Sequence, residues 1–139
     1  MSRINPYLIF NGNCREAMNF YKECLGGELS LQTVGESLLA EQMPPDLQGA
    51  ILHSALVNGD LTIMGSDMRT EQLVDGNTVQ TCVHCGSEEE LHSFYAGLSD
   101  GGRVVHALAD MPWGAKLGTI ADKYGKLWLL HYDRSLVNQ

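Results

Sequence analysis

Apolar residues recur at helical spacing in two stretches of the chain. Within residues 14–25 apolar side chains return every three or four positions, and residues 91–98 repeat this spacing, so each stretch predicts an amphipathic helix. Asn13 and Ser87 stand just before these helices, and each has a glutamate three positions later, which predicts a capping box. A glycine pair follows each helix and predicts its end.

Alternation of apolar and polar residues predicts strands on both sides of each helix. One strand precedes each helix, at residues 7–10 and 78–84. Each helix is followed by one alternating stretch and by a hairpin, whose turns fall at Asn58-Gly59 and near Tyr124-Gly125. The stretches predicted to carry these later strands are 28–36, 50–67, 103–110 and 116–133.

The two halves of the chain resemble each other. Aligning Phe20-Tyr21 with Phe94-Tyr95 sets an offset of 74 residues, at which the glycines and glutamates flanking the helices coincide. Each half reads strand, helix, strand, strand, strand, which favours duplication over chance. The predicted fold class is α+β, with a single domain over residues 1–139 made of module 1–66 and module 77–135 joined by a polar linker.

Charge and composition narrow the range of partners. The formal net charge is −8 and the pI is about 4.9, which argues against nucleic acid and membranes as partners because both favour clustered lysine and arginine. The N-terminal stretch lacks the pattern of a signal peptide, and no run approaches the roughly 18 apolar residues of a membrane span. We therefore expect a cytoplasmic protein whose four cysteines are reduced.

The repeated βαβββ plan resembles the vicinal oxygen chelate superfamily, which includes glyoxalase I, extradiol dioxygenases and bleomycin-resistance proteins. The opening YLIFNGNCREAMNFYKECLGGEL and the closing WGAKLGTIADKYGKLWLL are similar to its PhnB-like branch in particular. The resemblance implies that each module curls into an incomplete barrel, with the helix on the convex face and a cavity on the concave face. It also implies a homodimer, since relatives commonly pair.

Strand alternation assigns side chains to the two faces of these implied barrels. The side chains expected to face the cavity are Leu8, Phe10, Thr78, Gln80, Cys82, His84, Leu127, Leu129 and His131. Those expected to face the helix are Tyr7, Ile9, Val79, Val83 and Trp128.

Metal-dependent members of the superfamily place four ligands on strands, two in each half. Counting residues from the shared motifs assigns these ligand positions to Pro6, His53, Gln80 and Leu129. Proline and leucine have no ligating side chain, glutamine is a weak donor, and catalytic sites usually need about three protein ligands. We therefore expect no metal and no cofactor. His53 is a weak metal candidate, and two histidines further along the strands, His84 and His131, could supply a site with shifted geometry.

The stretch CVHC at residues 82–85 has the spacing of a redox or zinc motif. On a strand, however, Cys82 and His84 share one face while Cys85 points to the other. Redox pairs sit instead at a helix N-terminus, and no second cysteine pair completes a zinc site. The pattern therefore favours small structural residues.

The leading functional hypothesis is a metal-independent protein that binds a small organic molecule in the concave cavity. The candidate pocket residues are Phe10, His53, Met64, Gln80, Trp113 and Leu129. Two alternatives stay open: a metal-dependent lyase or dioxygenase with a rearranged ligand set, and a resistance protein that sequesters its ligand. Residues 36–49, which carry Pro44-Pro45, predict either a surface loop or a flap over the pocket.

Overall fold

The computed structural model of the chain describes residues 2–134. These residues form two compact units that divide between Val74 and Asp75. The division falls inside the polar stretch predicted as a linker. None of the helices formed by the described residues is long and apolar enough to cross a membrane.

The first unit is a four-stranded sheet with one helix. Its elements are β1 (Tyr7–Ile9), α1 (Cys14–Leu25), β2 (Glu28–Thr33), β3 (Ile51–Asn58) and β4 (Leu61–Ser66). The strand order is β1-β4-β3-β2, in which β1 runs parallel to β4 and the other pairs are antiparallel. The hairpin turn at Gly59 has a φ of 58°, which explains the glycine there.

The second unit repeats this arrangement. Its elements are β5 (Thr81–His84), α2 (Glu88–Ser99), β6 (Arg103–Asp110), β7 (Ala115–Ala121) and β8 (Leu127–Asp133). The strand order is β5-β8-β7-β6, again with one parallel pair, β5 with β8. Both sheets are open. The α+β prediction of two βαβββ modules forming incomplete barrels is therefore confirmed.

The core of the first unit lies between α1 and one face of its sheet. Ala17, Met18 and Tyr21 are fully buried on the helix. The sheet has a glycine, Gly65, beneath the helix: an added Cβ there would lie 3.0 Å from Met18 Sδ and 3.3 Å from Cys14 Sγ. A larger side chain at Gly65 would therefore force these packed side chains of the core to shift.

The core of the second unit centres on Trp128, which is fully buried together with Leu91 and Leu98 of α2. Its indole Nε1 donates a 2.8 Å hydrogen bond to the buried Asp122 carboxylate. The same carboxylate accepts the backbone N–H groups of Tyr124 and Lys126, at 2.8 and 3.1 Å. Within the closing stretch WGAKLGTIADKYGKLWLL, residues 122–128 thus form a turn that one buried carboxylate fastens to the core.

The two helices begin in different ways. Ser87 accepts the N–H of Glu90 at 3.0 Å, which confirms Ser87 as the cap, and the Glu90 carboxylate accepts the N–H of Gly86, one residue before the cap, at 3.1 Å. The first capping box is wrong, because Asn13 makes no side-chain cap hydrogen bond. Instead, the carboxylate of a residue distant in sequence, Asp67, accepts N–H groups at the start of α1.

Asp67 joins three separate segments of the first unit. Its Oδ1 accepts the N–H groups of Gly12 and Cys14, at 2.9 and 3.0 Å. Its Oδ2 accepts the N–H of Ile51 at 2.9 Å, where β3 begins. A negative carboxylate is also favourable at a helix N-terminus, where the backbone dipoles leave partial positive charge.

The segment between β2 and β3 forms an ordered surface loop. It contains two short 3₁₀ turns, Ala40–Gln42 and Pro45–Leu47. The Gln48 amide spans them by donating to the carbonyls of Ala40 and Met43, at 2.8 and 3.0 Å. This internal hydrogen bonding agrees with the surface-loop alternative and gives no specific support to a flap.

We predict that Asp67→Ala lowers the free energy of unfolding by about 2–4 kcal/mol, because three N–H groups lose a charged acceptor. Urea unfolding followed by circular dichroism measures this loss. Asp67→Asn should lower the free energy of unfolding by a smaller amount. Its amide oxygen can still accept hydrogen bonds at α1, whereas its NH₂ group would face the N–H of Ile51.

Asp60→Ala, in the exposed β3–β4 turn, serves as the matched control and should change the unfolding free energy by less than about 0.5 kcal/mol. Equal losses for Asp67→Ala and Asp60→Ala would show that the Asp67 contacts contribute no particular stability.

Candidate functional site

Each sheet has one face covered by its helix and a second face that no helix of the same unit covers. In the first unit this helix-free face carries His53, Ala55 and Met64, because their neighbours Ser54 and Gly65 point toward α1. Met64 pairs with Ala55 on one side and with Tyr7 on the other. The helix-free face thus combines an aromatic ring, an imidazole and a polarizable thioether.

His53 and Tyr7 form the most defined contact on this face. Their rings stack with centroids 6.2 Å apart and an interplanar angle of 28°. The Tyr7 residue is 49% exposed, so the stack is open to solvent. Among residues 2–134 no hydrogen bond or ion pair reaches the His53 imidazole, which leaves both ring nitrogens able to bond to a ligand.

The predicted orientation of β1 is wrong. Phe10 is 2% exposed and lies on the helix side, with its ring centroid 6.5 Å from that of Tyr21. Tyr7 was expected against the helix and instead stacks on His53 at the opposite face. The strand has three residues, too few for an alternating pattern to reveal which face is buried. Phe10 is therefore a core residue, and Tyr7 takes its place in the candidate site.

The helix-free face of the second unit carries Cys82, His84, Leu129 and His131. Cys82 pairs with Leu129, and His84 pairs with His131, on adjacent parallel strands. The alternate residues Val83, Trp128 and Leu130 are buried toward α2. The predicted sorting of β8 and of the end of β5 onto two faces agrees with this arrangement.

Polar groups on this second face lie close together. The Cys82 Sγ is 3.6 Å from the Nε2 of His84. The rings of His84 and His131 meet edge to face, with centroids 5.0 Å apart. Cys82 and His84 are both exposed, so solutes can reach the cluster.

Three other predicted residues lie outside these faces. Gln80 is exposed and precedes β5, which begins at Thr81. Val79 was expected against the helix, but it is 81% exposed, so that prediction is wrong. Thr78 likewise lies before the strand. The polar linker continues up to Gln80. Residues 78–80 were predicted as part of the strand, but they do not pair with the sheet.

Trp113 lies in the turn between β6 and β7 and is 62% exposed. The N–H of its neighbour Gly114 donates to the carbonyl of Met111 at 3.1 Å, which closes this turn. An indole presented at a turn can contact a ligand or a partner, but within the second unit it packs into no core.

The four family ligand positions carry little metal-binding chemistry. In the first unit Pro6 offers a backbone carbonyl, which already accepts the N–H of Met64 at 3.0 Å, beside one imidazole at His53. In the second unit the positions hold Gln80 and Leu129. Among the described residues, no group of three or more His, Cys, Asp or Glu side chains could hold a metal ion. The side chains at these four positions do not form a metal centre by themselves.

The buried thiols are held in their protonated form. Burial raises the pKa of Cys14 to about 11, although a hydrogen bond with Ser54 acts in the opposite direction. Burial and the nearby Glu90 carboxylate raise the pKa of Cys85 to about 12. Burial also raises the pKa of the more exposed Cys82. No thiol of these three is activated as a free nucleophile.

A cavity of about 460 Å³ opens beside the β7–β8 turn in the second unit. Both charge signs line it, with Arg103 and Lys123 facing Asp75 and Asp122. Asp75 also forms a 3.1 Å ion pair with Lys126. Because these charges largely offset one another, the cavity shows no selectivity for an anion or a cation.

Comparison with known proteins finds a matching family model and related sequences. A family model described as the Glyoxalase/Bleomycin resistance protein/Dioxygenase superfamily matches residues 3–130. The protein YjdN of Escherichia coli is 27% identical over an alignment of 139 positions, gaps included, that covers 92% of this chain and 93% of YjdN.

Solved structures show the same fold. The crystal structure of protein PA1353 from Pseudomonas aeruginosa is 32% identical, with a TM-score of 0.84 over 96% of this chain and 98% of that one. A PhnB protein from Bacillus cereus is 24% identical, with a TM-score of 0.69 over 94% of this chain and 99% of that one. The family model confirms the expected superfamily, and the likeness to the PhnB protein shows a shared fold. The assignment to the PhnB-like branch stays a prediction.

We predict that iodoacetamide modifies Cys82 in the native protein at pH 8 while Cys14 and Cys85 stay protected. Cys82 is exposed, whereas raised pKa values of about 11 and 12 leave on the order of 10⁻³ and 10⁻⁴ of the two buried thiols as thiolate. Peptide mass spectrometry measures each site, and the urea-unfolded protein is the control in which all of them should react. Native Cys14 or Cys85 reacting as fast as Cys82 would contradict the described burial.

Proposed function

Because the chain belongs to the Glyoxalase/Bleomycin resistance protein/Dioxygenase superfamily, we propose that it binds a small organic molecule on the helix-free face of its first unit. The observation that carries the proposal is the open stack of Tyr7 on His53, with an imidazole that has no hydrogen-bond partner among the described residues. Met64, beside Tyr7 in the sheet register, completes the contact surface.

The chemistry of this surface favours a planar or unsaturated ligand. A ring that stacks on Tyr7 or His53 gains about 0.5–1.5 kcal/mol beyond the burial of apolar area. The Met64 thioether adapts its shape and contacts ring edges favourably. One donor and one acceptor on the neutral imidazole can then fix the orientation of a polar substituent.

Histidine is an unusual choice for a purely structural role at this position. A buried polar group normally has a hydrogen-bond partner, and His53 is half-buried with its ring nitrogens unbonded by residues 2–134. Its neighbour on the other face, Ser54, shows the usual structural arrangement, since its hydroxyl donates to the carbonyl of Gly65 at 2.8 Å. The unbonded ring nitrogens of His53 support a role in hydrogen bonding to a ligand.

Binding at this face requires no metal in our proposal. His53 is one imidazole beside Pro6, and a single imidazole does not hold a catalytic divalent ion against water. Imidazole and phenol groups recognise a ligand through stacking and hydrogen bonds alone. The net charge of −8 adds a weak preference for neutral or cationic ligands.

The test is a thermal-shift screen of neutral and cationic aromatic compounds against the full chain in the presence of EDTA. We expect at least one compound to raise Tm, and His53→Ala to weaken its binding by about tenfold while changing the unfolding free energy by at most about 1–2 kcal/mol. Tyr7→Leu should weaken binding similarly, because it removes the ring and keeps apolar bulk.

His106→Ala is the matched control, since His106 is an exposed strand histidine of the second unit whose ring already contacts the carbonyl of Ala107. Its ligand affinity should equal that of the wild type. A compound whose affinity is unchanged by both His53→Ala and Tyr7→Leu, or whose binding EDTA abolishes, would rule out this site.

A further inference from the structure

A glutamine side chain lies beside His53 on the helix-free face of the first unit. Gln32 pairs directly with His53 in the antiparallel register of β2 with β3. The preceding residue Leu31 pairs with Ser54, which points toward α1, so Gln32 points the other way. Side chains directly opposite each other in such a pair have Cβ atoms about 4.5–5.5 Å apart. One small polar group of a ligand can therefore reach both Gln32 and His53.

The carboxamide of Gln32 is open to a ligand. The residue is exposed, and among residues 2–134 no hydrogen bond or ion pair reaches its side chain. Another polar residue on this face of β2, Ser30, differs, because its hydroxyl donates to the carbonyl of Ala55 at 3.4 Å. Gln32 and His53 thus form a neighbouring pair whose hydrogen-bonding atoms have no partner within residues 2–134.

A β-bulge lies next to this pair. The regular pairing of β2 with β3 shifts by one residue just after Gln32, so Leu52 is an extra residue of β3 beside His53. Bulges of this kind are common at sheet edges and beside active sites, where they change the direction of a side chain. The bulge is a second feature that this part of the sheet shares with binding sites.

The strands of the first unit carry almost no formal charge. Within the described residues of β1–β4 there is no lysine or arginine, and Glu28 is the one acidic residue. An anionic group of a ligand would therefore lose its hydration at this face without a positive side chain of the strands to offset the cost. A neutral group that both donates and accepts hydrogen bonds suits the face better.

We propose that Gln32, together with His53, selects neutral planar ligands that carry a primary carboxamide. This specificity rests on the proposed function, because stacking on Tyr7 and His53 holds the ring of the ligand. The Gln32 side chain offers an NH₂ donor and a C=O acceptor in one plane, which match the C=O and one N–H of another carboxamide. The second N–H of the ligand can donate to the acceptor nitrogen of the neutral His53 imidazole.

The test compares benzamide, acetophenone and benzoate, which have similar shapes, in chemical-shift titrations of the ¹⁵N-labelled full chain. Benzamide should bind the wild type about tenfold more tightly than either of the others, because acetophenone lacks the N–H donors and benzoate adds a negative charge. Gln32→Leu should weaken the binding of benzamide by about tenfold and change that of acetophenone by less than about twofold.

A second substitution at the same position should switch the preference. Benzamidine carries a cationic group with N–H donors only, so it should bind Gln32→Glu about tenfold more tightly than the wild type, through charge-assisted hydrogen bonds to the new carboxylate. Benzamide should bind Gln32→Glu more weakly than the wild type, because a carboxylate cannot donate to its C=O. A purely structural role of Gln32 would produce no such switch, and equal benzamidine affinities would overturn the inference.

The matched control is Gln72→Leu, the same substitution in the exposed polar stretch after β4, which should bind every probe as the wild type does. His53→Ala and Tyr7→Leu should weaken both benzamide and acetophenone, which tests the proposed function itself. If they do so while Gln32→Leu keeps the preference for benzamide over acetophenone, the proposed function stands and the role of Gln32 is overturned. If no probe binds, or if His53→Ala and Tyr7→Leu change no affinity, both are overturned.

A measurement on the wild-type chain covers the case in which a variant fails to fold. The side-chain NH₂ signals of Gln32 should shift when benzamide is added, because the NH₂ group donates to the ligand, while those of Gln72 should stay in place. Unmoved Gln32 NH₂ signals at saturating benzamide would overturn the inference.

Discussion

The carboxylate of Asp67 is the interaction on which the first unit most depends. It lies just after β4 and accepts N–H groups from the start of α1 and from the start of β3. One side chain thereby fixes the helix against one face of the sheet. Because α1 is held on that face, it leaves the opposite face uncovered, and Tyr7, His53 and Met64 lie there together.

The second unit also uses buried or capping carboxylates to hold its helix and a turn in place, but at different positions. Its helix is capped locally by Ser87 and Glu90, and its buried carboxylate, Asp122, fastens the β7–β8 turn to Trp128 instead. The two modules thus share the same order of helix and strands, while the side-chain hydrogen bonds that hold these elements differ. Their free faces have diverged as well, since one carries a tyrosine–histidine stack and the other a Cys82, His84 and His131 cluster.

Features set by local sequence were predictable, and features set by distant contacts were not. The helices, the hairpins and the Ser87 cap follow from spacing and turn residues within a few positions. Asp67 caps α1 from 53 residues away, so no local pattern reveals it. The predicted orientation of β1 is wrong because three residues are too few for an alternating pattern to show which face is buried. This error assigned Phe10 to the site and Tyr7 to the core.

Alternation is easier to interpret in the longer strands. β3 has eight residues, and its alternation separates His53 from Ser54. The same logic placed Cys82, His84 and His131 on one face, but their mutual distances depend on the parallel pairing of β5 with β8. Pairing between strands more than 40 residues apart is a tertiary property, which residue spacing alone does not encode.

We propose that a small organic molecule binds the face of the first sheet opposite α1. Amide chemical-shift mapping of ¹⁵N-labelled protein, with a compound that raises Tm, locates the bound molecule on the chain. We expect the largest shifts on β1, β3 and β4 around Tyr7, His53 and Met64, while the buried residues of α1 change little. Shifts concentrated along α1, or confined to surface turns, would contradict it.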